Sequence, residues 1–288
     1  MAYDDVTAVV VTFNSAHVLA SCLDAVIAAG MAAIVVDNAS TDSSAAIARQ
    51  AGAQVISNAR NEGFGRAMNR GVAAATTSYC LLLNPDVTFT PEAVARLRAE
   101  IVARPTAALA GPRLVGRDGH EAGLMTSPIN PPVVKQPTGD VQDVALLSGA
   151  ALLVRRDVFL AVGGFDPNIF LFWEDNDLCR RLRDSGHDIL LVKSAPMTHV
   201  AGQSVTLVPG LIYRTRWHQA WSRFYAFRKH GIASDVSGWI WRFRAKHLWA
   251  RLTNDTRRMG RYAGSRDGAR AFQRGETALE KEGLPFEN

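Results

Sequence analysis

The chain has 288 residues, of which 48% are apolar and 20% are charged, so we expect a sizeable buried core in one large domain or in a domain with an appendage. No run of 18 apolar residues is present and the acidic start lacks the pattern of a signal peptide, which excludes a predicted membrane span or leader. Three widely spaced cysteines form neither a disulfide framework nor a metal-ligand spacing, which favours a reducing cytoplasm.

The first half of the chain alternates short, β-branched apolar runs with helical patterns. The predicted strands cover residues 7–13, 33–36, 54–57 and 79–83. The predicted helices begin after Asn14-Ser15 as a cap, cover 43–51 and 61–75, and begin again at Thr90-Pro91. The apolar face of the first helix would consist of Leu19, Leu23, Val26 and Ile27. Such alternation predicts βαβ units, and therefore an α/β fold with a mostly parallel central sheet flanked by helices.

Polar clusters follow three of these strands at their carboxyl ends. They cover residues 12–14, 37–42 and 84–86. Because ligands bind just outside the carboxyl ends of the strands in open parallel sheets, the topology alone predicts one shared site made by these clusters.

The pattern changes after residue 112. Residues 125–141 are rich in proline and polar residues, which predicts a mobile loop over the site. An apolar strand is predicted over 144–154, interrupted at Ser148-Gly149, where a ligand or another backbone segment can come close. A short helix over 155–161 and a late strand over 188–192 follow.

Residues 170–186 (FLFWEDNDLCRRLRDSG) hold two adjacent carboxylates, Glu174 and Asp175, at the predicted start of a helix. The helix dipole favours a carboxylate at that end, so such an acid stays ionised and able to take a proton. For an isolated acidic pair, a simple capping role is the more common explanation. The rest of the chain decides between capping and catalysis.

The last part of the chain is basic and helical. From residue 205 to the end, 16 Lys/Arg stand against 7 Asp/Glu, a net charge of +9, whereas the first 204 residues carry 16 against 20, a net charge of −4. Two helical stripes are predicted, made by Trp217, Trp221, Phe224 and Tyr225 and by Trp241, Ala245, Leu248 and Leu252. Aromatic stripes with cationic flanks suit a membrane interface, although such stripes more often pack on a protein core. Both interpretations stay open.

The polar clusters suggest chemistry as well as position. Asp86, on an Asn-Pro-Asp turn, and His199 can hold Mg²⁺ or Mn²⁺ together with the oxygens of a diphosphate, which the metal would stabilise as a leaving group. Asp37 can accept the ring N–H of a uracil or thymine, and Asp175 can accept the proton of an attacking hydroxyl. Taken alone, each residue also has a structural explanation, since such turns are common and a single histidine is usually structural.

Six motifs occur together in one order. They are VTFN (11–14), DNASTD (37–42), NEGFGRAMNRG (61–71), LLNPDV (82–87), FWEDNDLCRRLRDSG (172–186) and HVAGQS (199–204). In this order they resemble family 2 glycosyltransferases of the GT-A fold, and bacterial rhamnosyltransferase-like members above all. The resemblance covers residues 6 to about 204, and it implies a GT-A domain over 1–204 followed by a basic, aromatic-rich helical extension over 205–288.

The resemblance implies roles for individual residues. The positions that match contacts to a nucleotide sugar are Thr12, Asp37, Asn38, Arg66, Asn84 and Trp173. Asp86 and His199 match positions that bind a divalent cation, Mg²⁺ or Mn²⁺. Asp175 matches the catalytic base, and Glu174 beside it would position the donor or the acceptor. Asn84 replaces the first acid of the family's Asp-x-Asp motif, which leaves one fewer charge for the metal.

The resemblance also implies an activity. The enzyme would be inverting and would move one sugar, rhamnose or another hexose, from a dTDP or UDP donor to a hydroxyl of a lipid-linked or cell-envelope glycan. The Gln-x-x-Arg-Trp signature of processive synthases is absent, since residues 214–217 read RTRW, so a single addition is favoured. We expect a cytoplasmic protein, or one bound to the inner face of the cytoplasmic membrane. Nucleic acid is not an expected partner, and a homodimer is left open.

Two alternatives stand beside this activity. A sugar-phosphate nucleotidyltransferase would have a Gly-rich, basic phosphate loop near the first strand, but residues 12–18 contain no Lys, Arg or Gly. A non-catalytic glycan-binding relic would have lost its acids, whereas Asp37, Asp86 and Asp175 are all present.

Overall fold

The chain divides into two compact units. A computed structural model describes residues 3–121, 126–133, 139–200 and 210–279. The first unit comprises Met1–Asp166 and Asp175–Thr206, and the second comprises Pro167–Glu174 and Leu207–Asn288. The predicted domain boundary between residues 204 and 205 stays a prediction. Part of the predicted loop over 125–141 lies outside the described residues.

The first unit combines a sheet with helices. Its strands are β1 (Val6–Thr12), β2 (Ala32–Asp37), β3 (Gln54–Ser57), β4 (Tyr79–Leu83), β5 (Val87–Phe89), β6 (Ala107–Val115), β7 (Val141–Asp143), β8 (Ala151–Arg155) and β9 (Asp188–His199). Its helices are α1 (Ala16–Ala28), α2 (Ser44–Gln50), α3 (Phe64–Ala74), α4 (Pro91–Ala103), α5 (Arg156–Ala161) and α6 (Glu174–Asp184). The first residue of α6, Glu174, is counted with the second unit, whose first segment ends there.

These strands form one sheet in the order β3-β2-β1-β4-β8-β6-β9-β5, with β7 paired to β9. The pairs among β1, β2, β3 and β4 are parallel, and so is the β6–β9 pair. β8 runs antiparallel to both of its neighbours, β4 and β6. The predicted α/β fold with a central sheet flanked by helices is therefore confirmed, with antiparallel strands joining its two parallel parts.

Both faces of the sheet are buried. Along β1, Ala8 and Val10 belong to one apolar cluster, whereas Val9 belongs to the other, because successive side chains of a strand point to opposite faces. Helices α1 and α4 contribute to the first cluster, and α3 and α6 contribute to the second. Burial on both faces explains the continuous apolar runs of the sequence.

Two predictions for α1 need correction. Ile27 is 53% exposed, because it lies at the edge of the buried face, about 80° around the helix from Leu19 at about 100° per residue. The side chain of Ser15 makes no capping bond to α1. The Asp42 carboxylate instead accepts a hydrogen bond from the Ala16 backbone N–H at 3.0 Å.

Two predicted strands have different bounds. The strand predicted over 144–154 is shorter in the structure, where β8 begins at Ala151. Leu146 and Leu147 are buried but do not belong to a strand, so their apolar character alone led to the longer prediction. Instead of ending at 192, β9 continues to His199. The added residues (KSAPMTH) carry no apolar pattern, and a register shift against β6 accommodates Pro196.

The second unit is helical. It contains α7 (Leu211–Lys229), α8 (Val236–Leu252) and α9 (Thr256–Gln273). Two glycines let α9 approach α7 closely: a Cβ at Gly264 would lie 2.2 Å from the Tyr213 carbonyl oxygen, and one at Gly268 would lie 2.1 Å from the Trp217 carbonyl oxygen. The face of α9 that carries these two glycines is therefore packed directly against the α7 backbone.

The two predicted aromatic stripes differ in exposure. Trp217, Trp221 and Phe224 on α7 are at most 4% exposed and form the core of the helical unit, so this stripe is not available to a membrane. On α8, Trp241, Leu248 and Leu252 are 67%, 57% and 79% exposed. Within the described residues, no helix combines the length and the apolar character that crossing a bilayer requires.

Candidate active site

Thr12 and Asp37 lie side by side at the carboxyl ends of β1 and β2, where they are register partners. Both are buried, and the Thr12 hydroxyl has no hydrogen-bond partner among the described residues. Asp37 Oδ1 accepts a bond of 3.3 Å from the Ser40 N–H. A buried hydroxyl without a partner is costly, so this position suits a polar ligand that would complete its bonding.

Asn38 organises the loop that leads into α3. Its amide group donates to Asn61 Oδ1 at 3.0 Å and to the Gly63 carbonyl at 3.1 Å. Its Oδ1 accepts from Asn58 Nδ2 at 2.8 Å and from the Glu62 N–H at 3.1 Å. Since an amide has two N–H donors and an oxygen with two lone pairs, this side chain is fully used in holding the loop. The structure thus gives Asn38 a positioning role, and its direct contact with a nucleotide sugar stays a prediction.

Arg66 lies half-buried in the first turn of α3. The helix follows Gly63, whose φ of 85° is in the left-handed region that favours glycine. Free backbone N–H groups at a helix start favour anions, and a guanidinium matches phosphate oxygens. The fixed loop therefore brings two anion-binding features to this edge of the sheet.

The turn after β4 buries a carboxylate. The Asn84 N–H donates to the Ala150 carbonyl at 2.8 Å, and the Val87 N–H donates to the Asn84 carbonyl at 3.2 Å. Asp86 is 4% exposed, and neither of its carboxylate oxygens has a hydrogen-bond partner among the described residues. His199 Nε2 lies 3.5 Å from Asp86 Oδ1, because β5 and β9 pair with Val87 opposite His199.

Asp86 and His199 fit a divalent cation. A buried carboxylate without hydrogen bonds is costly unless a positive charge faces it. One carboxylate oxygen and one imidazole nitrogen suit Mg²⁺ or Mn²⁺ when diphosphate oxygens complete the coordination. The described residues contain no group of three or more His, Cys, Asp or Glu that would hold a metal without such help. Burial, and then the charge of Asp86, raise the pKa of the nearby Cys22 thiol to about 12, so without a metal Cys22 is a neutral thiol at pH 7.

Asp175 lies half-buried in the first turn of α6 with both carboxylate oxygens hydrogen-bonded. Oδ2 accepts from the Gly149 N–H at 3.1 Å, and Oδ1 accepts from Asn176 N at 2.7 Å and Asn176 Nδ2 at 2.9 Å. Gly149 precedes Ala150, whose carbonyl takes the Asn84 N–H. This two-residue segment therefore links the Asp175 carboxylate to the turn that carries Asp86.

Trp173 and Glu174 belong to the second unit. Phe172 and Trp173 have φ values of 65° and 72°, which bulky residues rarely adopt, so their backbone is strained. The Trp173 ring meets Phe227 edge-on at 5.4 Å between ring centres. Glu174 is 8% exposed at the first position of α6. The contact of Trp173 with a nucleotide sugar and the positioning role of Glu174 stay predictions.

Two features of this site were not predicted. The Asn58 and Asn61 bonds to Asn38 join residues 20 and 23 positions apart, and no spacing rule connects such residues. The Gly149 bond to Asp175 had a signal in the sequence, since a glycine inside an apolar run marks a close approach. The part of the HVAGQS motif after Val200 lies outside the described residues.

Comparisons with known proteins identify the family of this chain. Residues 7–163, more than half of the chain, match the family described as Glycosyl transferase family 2. An N-acetylglucosaminyl-diphospho-decaprenol L-rhamnosyltransferase of Mycobacterium tuberculosis is 30% identical over 200 residues, which are 58% of this chain and 65% of that enzyme. An uncharacterized glycosyltransferase of Mycobacterium bovis is 41% identical over 101 residues, which are 35% of this chain and 45% of that protein. The chain thus spans slightly less than two-thirds of the rhamnosyltransferase.

Solved structures share the fold at low sequence identity. S. aureus TarS in complex with UDP has a TM-score of 0.55 at 14% identity and covers 94% of this chain and 92% of its own. The mannosyltransferase PcManGT from Pyrobaculum calidifontis, in complex with GDP-Man and Mn²⁺, has a TM-score of 0.56 at 15% identity. The alignment covers 98% of this chain and 76% of the mannosyltransferase. These likenesses show the shared fold, and the family match confirms the resemblance to family 2 glycosyltransferases seen in the six motifs. The chain belongs to family 2 of the glycosyltransferases.

Proposed function

We propose that this glycosyltransferase moves one sugar from a nucleotide-diphosphate donor to a hydroxyl of a lipid-linked or cell-envelope glycan, with inversion at the anomeric carbon. The observation that carries the proposal is the Asp175 carboxylate, which three N–H donors hold beside the segment bonded to the turn of Asp86. A base, a cation position and a buried polar pair thus lie along one edge of one sheet.

Asp175 is the base in this proposal. Its carboxylate takes the proton of the acceptor hydroxyl while the hydroxyl oxygen attacks the anomeric carbon from the face opposite the diphosphate. The Gly149 and Asn176 donors fix the carboxylate in one orientation, which is what general-base catalysis requires of a short proton transfer.

Thr12 and Asp37 bind the nucleotide base, and Arg66 lies beside the diphosphate. Asp86 and His199 would hold Mg²⁺ or Mn²⁺, which supplies positive charge for the leaving diphosphate. The Mn²⁺ in the complex of the mannosyltransferase supports a divalent metal in this fold. Asn84 stands where the family's motif has its first acid, which leaves one fewer negative charge for the metal.

The relatives support the substrate class. The name of the mycobacterial rhamnosyltransferase specifies a diphospho-decaprenol acceptor, and TarS was solved with UDP. We therefore propose rhamnose or another hexose as the transferred sugar, with dTDP or UDP as the nucleotide, and a single addition because the Gln-x-x-Arg-Trp signature is absent. The charge and the exposed α8 stripe favour a position on the inner membrane surface.

The test combines donor binding with product stereochemistry. Thermal unfolding would be measured with dTDP-rhamnose, UDP-hexoses and GDP-mannose, with and without Mn²⁺, because a ligand of the folded state raises the unfolding temperature. The linkage formed by the best donor would then be assigned by NMR. We expect one donor to stabilise the protein in a metal-dependent way and the product to have the inverted configuration. Retention at the anomeric carbon, or stabilisation by a nucleoside triphosphate with a sugar phosphate, would contradict the proposal.

A further inference from the structure

The second unit contains a cavity of about 720 Å³ lined by α7, α8 and α9, with Trp173 at its side. Its lining positions recur every three or four residues along each helix, as Arg216, Ala220 and Arg223 do on α7. Such spacing places one face of each helix toward the same space. The cavity is therefore a product of helix packing and lies wholly within the helical unit.

Positive charge dominates this cavity. Its lining contains no Asp or Glu but five cationic side chains, which are Arg216, Arg223, Lys246, Arg258 and Arg261. Within the part of the chain that the structure describes, Arg258 alone among them has a carboxylate partner, Asp255 at 3.3 Å. Burial, and then the charge of Arg261, lower the pKa of Arg216, as expected for cations gathered without anions. The lining is therefore short of negative charge.

Aromatic rings hold these cations in place. The Arg223 guanidinium lies 4.6 Å from the centre of the Trp239 ring and 5.0 Å from that of Phe227. Its Nε is buried and has no hydrogen-bond partner among the described residues. A guanidinium stacked between rings keeps its N–H edge free to meet an anion in a fixed orientation.

The chemistry of the lining points to phosphate groups. Guanidinium groups match phosphate oxygens with paired hydrogen bonds, and a single carboxylate would leave most of this charge unbalanced. A diphosphate carries more than one negative charge and fits a space of this volume. Charge complementarity thus selects a polyanion over a neutral sugar.

The rim adds an apolar feature. Trp249 lines the cavity and is 52% exposed, and Leu248 and Leu252 beside it on α8 are 57% and 79% exposed. We propose that the cavity binds the diphosphate group of an amphiphilic lipid whose chain lies along this exposed side of α8. That this lipid carries the acceptor glycan rests on the proposed function.

The binding experiment uses the full chain and farnesyl diphosphate as the probe. All six tryptophans lie in segments of the second unit, and three of them line the cavity, so tryptophan fluorescence reports on the probe directly. Titration calorimetry gives Kd independently. We expect farnesyl diphosphate to bind at least tenfold more tightly than either farnesol or inorganic pyrophosphate.

Two cavity variants and one control assign the site. Arg223→Gln and Arg261→Gln should each weaken binding by about 10- to 100-fold, the usual loss of a hydrogen bond to a charged group. Arg261 is exposed, so its replacement should leave the fold intact even if Arg223→Gln does not. Arg244→Gln is the matched control, because Arg244 lies on α8 over the Trp241 ring and does not line the cavity. Circular dichroism checks each variant.

The outcomes separate the sources of phosphate. The diphosphate-lipid assignment would be overturned if farnesol or pyrophosphate bound as tightly as farnesyl diphosphate, or if phosphatidylglycerol vesicles competed equally well. It would also be overturned if both cavity variants bound farnesyl diphosphate with the Kd of wild type. Transfer to a lipid-linked glycan and to the same glycan without lipid is measured in parallel. Transfer without lipid binding removes only this inference, whereas lipid binding without transfer to either acceptor removes the proposed function and leaves the cavity assignment standing.

Discussion

The sheet edge of the first unit and the cavity of the second unit are built in opposite ways. At the sheet edge, backbone N–H groups hold a carboxylate in one orientation, as the Gly149 N–H does for Asp175 at the start of α6. In the cavity, long cationic side chains are held by aromatic rings, as for Arg223 and Trp239. The first arrangement orients the carboxylate by hydrogen bonds, which a short proton transfer needs. The second tolerates adjustment, which suits binding of a flexible anion. The predictions below test this division between chemistry and binding.

The largest expected effect is the loss of the proposed base. Asp175→Asn keeps the size of the side chain but cannot take a proton, so turnover should fall by about 10²- to 10⁴-fold while donor binding is unchanged. Steady-state kinetics and thermal shift with the donor measure the two quantities. Asp184→Asn is the control on the same helix, because Asp184 is exposed and pairs with Arg180 at 2.8 Å. Turnover near wild type in Asp175→Asn would remove Asp175 from the mechanism.

The cation position gives the next effect. Asp86→Asn should weaken Mn²⁺-dependent donor binding by at least about 10-fold, since even residues behind a metal ligand typically cost 10- to 100-fold. Without metal, the same variant should unfold at a higher temperature, because it removes a buried carboxylate that accepts no hydrogen bond among the described residues. Asn84→Asp should act oppositely and strengthen metal-dependent binding. The assignment would be contradicted if Asp86→Asn bound the donor as tightly as wild type with Mn²⁺. It would also be contradicted if the unfolding temperature of Asp86→Asn without metal equalled that of wild type.

A buried histidine sets the pH dependence of the helical unit. His218 is fully buried against Phe170, with ring centres 4.5 Å apart, and neither ring nitrogen has a partner among the described residues. Burial, and then the charge of Arg214, lower the pKa of His218 to about 3. The unfolded state therefore takes a proton near pH 6.5, whereas the folded state does not do so above about pH 3. We therefore expect the free energy of unfolding to be highest above pH 6.5. Because of His218, it should fall by about 1.4 kcal/mol for each pH unit as the pH drops from 6.5 toward 3.

His218→Phe should remove this decline. The phenyl ring can keep the stacking on Phe170, and it neither binds a proton nor buries an unsatisfied nitrogen. Denaturant unfolding between pH 7 and 4.5, followed by tryptophan fluorescence, compares the two proteins. Their difference should widen as the pH falls. A constant difference would mean that His218 is protonated in the folded state or accessible to water.

Much of the first unit followed from its sequence. The β-branched runs gave the strands of the parallel part because both faces of the sheet are buried, and strand ends brought the polar clusters to one edge. The distance between Asp86 and His199 did not follow, since β9 reaches His199 through a polar, Pro-containing segment that carries no strand pattern. Pairing partners across a sheet are not encoded in local periodicity. The resemblance predicts their roles, and only the fold shows that they lie close together.

The helical unit was less accessible to sequence reasoning. The stripes on α7 and α8 are alike in composition, yet Trp217 is 2% exposed and Trp241 is 67% exposed. Amphipathic spacing shows that a face is apolar but not what covers it. The cavity depends on faces of three separate helices, and nothing in the sequence sets how those faces meet.

The smallest expected effect concerns the exposed α8 stripe. If the helical unit binds an inner-membrane surface, cations should attract it to anionic lipid, and Trp241, Leu248 and Leu252 should insert. Each Lys or Arg near such a surface contributes about 1 kcal/mol that salt screens, whereas apolar insertion is not screened. Wild type should therefore co-sediment with phosphatidylglycerol vesicles at low salt and be only partly released at high salt.

Leu248→Ser should lower the salt-resistant fraction, because a serine loses most of the apolar area. Val102→Ser is the matched control, since Val102 is 45% exposed on α4 of the first unit. Replacing Trp217 would not test the idea, because its ring belongs to the core. Wild type that ignores anionic vesicles at low salt would end the membrane proposal and leave the α8 stripe as a contact for another protein surface.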